Sequence, residues 1–177
     1  VVRLIVNILE PYKPKAKVFD PACGSGGMFV QSAHFIEQNK IGEVNEIVVH
    51  GQEKTGDTVR LAKMNLMVNG LRGNIVQANS YEENPFKSFG QYDFVMANPP
   101  FNVKGVKEGT VKNDPRFTAY GLPKTKSKQA KITDANYLWV SLFATSLNDT
   151  GRAGFVMANS ASDARTVEKE VRENIVN

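Results

Sequence analysis

The spacing of apolar residues changes period several times along the chain. Val1, Val2, Leu4, Ile5, Ile8 and Leu9 recur at helical intervals, and Pro11 and Pro14 end that helix. Lys17-Val18-Phe19 reads as a short strand, leading through a glycine-rich turn into a helix over 28–38. Ile47-Val48-Val49 centres a second strand over 46–50. Asp57 is placed to cap a helix carrying Leu61, Met64, Leu66, Met67 and Val68, closed by Gly70, with Met64 and Met67 expected in the core. A third strand is expected over 74–78 and a loop over 85–91. The apolar run Tyr92-Asp93-Phe94-Val95-Met96-Ala97 is too short for a helix and reads as a buried fourth strand. Asp134 can cap a helix whose apolar face holds Leu138, Trp139, Leu142, Phe143 and Leu147, with Trp139 in the core. A turn at 148–151, a fifth strand over 154–158 and a helix near 164–176 complete the series. Strand–helix alternation of this kind predicts an α/β fold, a mostly parallel sheet with helices on both faces. Ligands of such sheets bind beyond the carboxyl ends of the strands.

The 177 residues fit a single domain, 1–177, and the 41% apolar content is ordinary for a globular protein. No apolar run approaches the ~20 residues of a membrane span, and no membrane partner is expected. No secretory pattern is visible, and Val1 in place of an initiator Met fits a piece excised from a longer protein. The single Cys23 excludes an internal disulfide and suits a reducing, cytoplasmic setting. His34 and His50 have no partners at metal-ligand spacing, so no metal is expected. The net charge of +4 is concentrated in 102–131, which holds Lys104, Lys107, Lys112, Lys124, Lys126, Lys128, Lys131 and Arg116 against Glu108 and Asp114. This segment has little apolar periodicity, and a loop so long is a functional lid or disordered. Its charge suits a polyanion such as nucleic acid, the seven lysines being the candidate contacts; a merely solubilising loop is the alternative.

The candidate chemistry lies at two strand ends. Asn98-Pro99-Pro100-Phe101 follows the fourth strand directly. Pro99 keeps Asn98 out of the helical region, and neither proline has an N–H to continue a ladder. The result is a stiff elbow with carbonyl acceptors that nothing local satisfies. Such an elbow can receive both hydrogens of a planar amino group while Phe101 stacks on the attached ring. The other end is Asp20-Pro21-Ala22-Cys23-Gly24-Ser25-Gly26-Gly27. Its glycines let a ligand approach the backbone, and the helix that follows offers free N–H groups. Asp20 suits a cationic or hydroxyl-bearing ligand, and neither a Gly-Lys-Ser/Thr ending nor G-x-G-x-x-G is present. Glu53, beyond the second strand, can accept hydrogen bonds from ribose hydroxyls. Asn79-Ser80 ends the third strand and faces the same rim.

Five blocks resemble one family: Val18-Phe19-Asp20-Pro21-Ala22-Cys23-Gly24-Ser25-Gly26-Gly27-Met28-Phe29; Gly51-Gln52-Glu53; Arg60-Leu61-Ala62-Lys63-Met64-Asn65-Leu66; Asn98-Pro99-Pro100-Phe101-Asn102; and Gly154-Phe155-Val156-Met157-Ala158-Asn159. In this order the chain is similar to the modification subunits of type I restriction–modification systems, S-adenosylmethionine-dependent N6-adenine DNA methyltransferases. The resemblance implies a Rossmann-like methyltransferase fold, here truncated at its C-terminus, and covers nearly the whole chain. It implies that Asp20, Ala22, Cys23, Gly24, Ser25, Gly26 and Gly27 form the cofactor loop, with the glycines against the methionine moiety. Glu53 would hold the ribose, and Asn79 with Ser80 would lie near the cofactor's adenine, at a position that is acidic in many relatives. Asn98 and the Pro99 carbonyl would bind the target amine, and Pro100 and Phe101 would complete that site, with Phe101 stacked on a flipped adenine of double-stranded DNA. The implied partners are a specificity subunit and a restriction subunit. Full subunits carry an N-terminal helical domain and further sheet elements, so the fragment alone is expected to bind cofactor weakly and methylate poorly.

Two other readings stay open. Asn-Pro-Pro-aromatic also serves methyltransferases acting on release-factor glutamine or RNA bases, although the basic loop favours DNA. A non-catalytic cofactor- or DNA-binding subunit is the second, against which the intact Asn98–Phe101 elbow argues.

Overall fold

The computed structural model describes residues 1–123, 132, 135–161 and 167–177. Lys124, Lys126, Lys128, Lys131, the expected Asp134 cap and the start of the last expected helix lie outside the described residues. The chain separates into two compact units, one of Val1–Pro99 with Leu147–Val156, the other of Pro100–Ser146 with Met157–Asn177.

The first unit is built on a five-stranded sheet: β1 (Lys17–Asp20), β2 (Val48–Glu53), β3 (Arg72–Gln77), β4 (Tyr92–Ala97) and β5 (Leu147–Phe155). Their order is β3-β2-β1-β4-β5, and every neighbouring pair is parallel. Chain order runs outward from β1 in one direction and then resumes at β4 on its other side. The β1–β4 junction is therefore the switch point at which open α/β sheets bind ligands. β1 and β4 are almost entirely buried, which explains their near-continuous apolar runs. Three helices, α1 (Val2–Leu9), α2 (Gly27–Asn39) and α3 (Gly56–Val68), cover one face. Ile5, Val6 and Leu9, Phe29, Ala33 and Ile36, and Val59, Ala62 and Leu66 pack there with Val18, Val49, Ile75, Phe94 and Met96. Elsewhere in this unit Phe19 stacks on Tyr92 at 4.6 Å between ring centres, and His50 stacks on Phe86 at 4.4 Å. The Tyr92 hydroxyl and His50 Nδ1 are 2.9 Å apart.

Several expectations need correction. Met64 and Met67 are not core: they are 61% and 80% exposed. The buried stripe of α3 is Val59-Ala62-Leu66, so of the expected apolar face only Leu66 lies in the core. Asp57 is not the cap; Thr55 occupies that position, and Asp57 pairs with Arg60 at 2.9 Å inside the first turn. Glu46 ends a short 3-10 turn ahead of β2 instead of opening the strand. β5 begins seven residues earlier than expected. Its register against β4 jumps from Tyr92↔Leu147 to Phe94↔Arg152, so the 148–151 turn survives as a bulge inside the strand. There the Asn148 side chain accepts from Thr150 N–H at 3.2 Å.

In the second unit, two single-turn helices, α4 (Glu108–Val111) and α5 (Pro115–Thr118), interrupt the segment read as a featureless loop. Val111 and Phe117 are fully buried. Arg116, counted among the basic surface charges, is 1% exposed and forks onto Asp114 at 2.7 Å. Lys104, Lys107 and Lys112 do face solvent. α6 (Asn136–Ser146) is buried along most of its length, Trp139 included, and Tyr137 packs with Val171 of α7 (Val167–Val176).

Candidate active site

β1 delivers Asp20 to the sheet's carboxyl edge and then breaks into the glycine turn. Two internal bonds and one to β2 shape that turn: Ala22 N–H donates to Asp20 Oδ1 at 2.9 Å and Gly26 N–H to the Cys23 carbonyl at 2.8 Å, while Cys23 N–H donates to the Gln52 carbonyl of β2 at 3.0 Å. Gly24 and Gly26 take φ of 51° and 82°, a region that costs other residues 1–2 kcal/mol or so. A Cβ on Gly24 or Gly27 would meet no atom within 4 Å, so the turn presents bare backbone to open space. Gly26 instead sits over α3, where a Cβ would lie 3.5 Å from Leu66 and 3.7 Å from Ala62.

Asp20 is 2% exposed, and burial lifts its carboxyl to about 7, opposed by the Ala22 N–H and reinforced by Glu53. The Cys23 thiol is pushed far above its ordinary range by burial, with Asp20 and Glu53 adding to it. It is thus a packed neutral group, not a thiolate nucleophile. Glu53 ends β2, and one of its oxygens accepts the Thr55 N–H at 2.8 Å. At the end of β3, Asn79 Oδ1 accepts from Tyr81 N–H at 3.2 Å and its own N–H donates to Glu83 at 2.9 Å. Ser80 turns inward: its buried hydroxyl donates to the Pro21 carbonyl at 2.5 Å and ties this strand end to the glycine turn.

β4 delivers the elbow. Val18 pairs with Phe94 and Phe19 with Val95, so the glycine turn and Asn98 leave adjacent strands, ~5 Å apart in the sheet, at the same edge. Asn98 is exposed and Pro99 buried. Among the described residues neither the Asn98 side chain nor the Pro99 carbonyl has a hydrogen-bond partner. In the second unit Phe101 is 40% exposed, and Asn102, at φ 53°, is held by Asn136. Asn136 Oδ1 accepts the Asn102 N–H and Asn136 Nδ2 donates to Asn102 Oδ1, each at 3.0 Å.

Three contributors carried no role in the sequence reading. Gly51 makes room for Cys23: a Cβ there would lie 2.8 Å from its sulfur and 2.6 Å from Ile75. Gln52 supplies the carbonyl that anchors the turn. Asn65 of α3 donates to the Ser25 carbonyl at 2.8 Å. The only sequence signal for them was membership in the resembling blocks. No group of His, Cys, Asp or Glu suited to a metal occurs among the described residues, and no helix among them is long and apolar enough to cross a membrane.

A parallel sheet with a glycine turn at its switch point and acidic residues on the neighbouring strand ends is a Rossmann-like α/β fold. The sequence profile of the family described as N-6 DNA Methylase matches residues 1–177, and the chain belongs to that family. It is 38% identical over 175 residues to a type I restriction enzyme methylase subunit of Methanocaldococcus jannaschii, covering 98% of this chain and 30% of that protein. A methylase subunit of a type I restriction enzyme of Haemophilus influenzae is 36% identical over 180 residues, covering 100% and 38% respectively. The chain thus spans about a third of the length of these relatives. Among solved structures, the type I restriction-modification system methyltransferase subunit of Streptococcus thermophilus superposes with a TM-score of 0.83. It covers 99% of this chain and 37% of its own at 22% identity, a likeness of fold.

Proposed function

We propose that this chain is the catalytic segment of a type I restriction–modification methylation subunit, transferring a methyl group from S-adenosylmethionine to the N6 amine of adenine in double-stranded DNA. The observation that carries the reading is the pair of unpartnered acceptors, Asn98 Oδ1 and the Pro99 carbonyl, at the strand end beside the glycine turn. The turn's residues suit the donor. Open backbone at Gly24 and Gly27 admits a ligand, buried Asp20 favours its ammonium group, and the Glu53 carboxylate faces hydroxyls. A phosphate would meet two acids there and is disfavoured. When bound, the sulfonium compound supplies an already activated methyl group.

The protein's task is then alignment and electrostatics. An adenine amine is a weak nucleophile because its lone pair is delocalised into the ring. Asn98 and Pro99 accept its two hydrogens, localise the pair and aim it toward the turn. Phe101 and Pro100 hold the ring of a base drawn from the duplex, which costs a few kcal/mol. Asn79 and Ser80 border the donor's adenine. Lys104, Lys107 and Lys112, with the lysines at 124, 126, 128 and 131, contact the DNA backbone. Site choice and cleavage belong to separate specificity and restriction subunits, and the cytoplasm is the setting.

Asn98→Ala tests the assignment in the assembled enzyme. Labelled-methyl transfer is expected to fall by ~10²–10³-fold or more, with S-adenosylmethionine affinity changed less than about twofold. Transfer that survives the substitution would remove Asn98 from the mechanism.

A further inference from the structure

The glycine turn rests on α3 at three consecutive points. Ala62 and Leu66 lie under Gly26, at 3.7 and 3.5 Å from where a Cβ would stand. Between them Asn65, on the same helix face, donates its side-chain amide to the Ser25 carbonyl at 2.8 Å. Ser25 is the residue between the two positive-φ glycines, where the backbone is least constrained by its own side chains. Without Asn65 the carbonyl of Ser25 has no protein donor among the described contacts, and the peptide joining Ser25 to Gly26 is held at one end only, by the Gly26 N–H bond to the Cys23 carbonyl. Asn65 also lines, with Gly27, Val30 and Gln31, a cavity of about 520 Å³ reaching α1 at Val1–Arg3. Asn65 is therefore half-buried beside this groove, not in packed core.

We propose that Asn65 is a positioning residue for the methyl donor, fixing the Ser25–Gly26 peptide so that the turn is already shaped before the ligand arrives. The inference rests on the donor reading of this site. Its energetic logic is preorganisation: a turn frozen by a helix spares the ligand the cost of ordering it.

The test uses Asn65→Asp, equal in shape but unable to donate, in the assembled enzyme. Asn65→Ala covers the case in which a carboxylate facing the carbonyl impairs folding, and Asn65→Gln keeps the donor on a longer arm. Amide hydrogen exchange over 22–28 and calorimetric binding of S-adenosylmethionine are read together. Asp and Ala variants are expected to exchange faster in this peptide alone, to bind the donor about tenfold more weakly and to show a raised donor KM with a smaller change in kcat. Asn65→Gln should recover part of both losses. A merely structural role would instead raise exchange across β1, β2 and β4 together and lower kcat and affinity without rescue by Gln. Unchanged exchange at 22–28 and affinity within twofold of the wild type overturn the proposal. Faster local exchange in an enzyme whose wild type has no affinity for S-adenosylmethionine would uphold the positioning and overturn the donor reading.

Discussion

The two strand ends that meet at the switch point are built in opposite ways. The turn after β1 is held from every side. Gln52 and Ser80 grip its backbone at Cys23 and Pro21, Asn65 grips it at Ser25, and Asp20 folds back on Ala22. The elbow after β4 has almost nothing of the kind. The Ala97 carbonyl accepts Val156 N–H at 3.1 Å, and beyond it Asn98 and Pro99 keep their acceptors open, stiffened only by proline rings. The difference matches what the proposed function asks of each end. Under that proposal a flexible donor with several functional groups is held by a shaped cradle. A target amine that must donate two hydrogen bonds needs acceptors that no protein group has already satisfied.

Asp20 offers the largest lever on this contrast. Its carboxyl is raised to about 7, chiefly by burial, from an ordinary 3.8. An acid whose folded value lies above its unfolded one disfavours folding once ionised. The ligand-free protein therefore carries no penalty from Asp20 below about pH 4, loses stability as pH rises toward 7, and levels off above it. The ceiling is a few kcal/mol. Asp20→Asn is expected to raise ligand-free thermal stability at pH 8, with the gain vanishing near pH 4, and to weaken S-adenosylmethionine binding. A pH-independent difference between the two proteins would show that burial of this charge is not what the site stores.

Gly51→Ala attacks the braced end through packing. The new methyl would press on Cys23 Sγ and Ile75, and overfilling of this kind costs about 1–3 kcal/mol. Adding Cys23→Ala should return part of that loss, a coupling that a double-mutant cycle in denaturant measures. Strict additivity would mean the strain falls on Ile75 and Phe29 and not on Cys23. Neither substitution should alter the elbow's acceptors.

How much of this was legible beforehand follows from range. The first four strands, the elbow and the glycine turn are local patterns, and proline and glycine chemistry made them readable, whereas the turn residues at 148–151 hid the start of the fifth strand, which runs Leu147–Phe155. Burial of Phe94, Val95, Met96 and Ala97 was visible as an unbroken apolar run. α3 misled because Met64 and Met67 are large and apolar while the true core face passes through small Ala62. Arg116 misled because its partner Asp114 buries a charge that sequence alone counts as surface. Asn65, Gly51 and Gln52 act across 28 residues or more on the turn, and no window of neighbouring residues contains both ends of those contacts.

Ser80→Ala makes the finest cut. The hydroxyl lost is buried and donates to the carbonyl of Pro21, itself a buried residue, so that acceptor is left without this donor. The stability cost should therefore be about 1–3 kcal/mol, the desolvation penalty of one buried acceptor. Water cannot restore the tie between the ends of β3 and β1, so the shape of the turn should suffer more than the fold. The expected signature is a thermal midpoint lowered by several degrees with S-adenosylmethionine affinity reduced severalfold, while Asn98-dependent DNA methylation at saturating donor stays close to wild type. A loss of methylation that excess donor does not restore would mean that the braced and bare ends are one coupled structure, and that the contrast between them is only one of appearance.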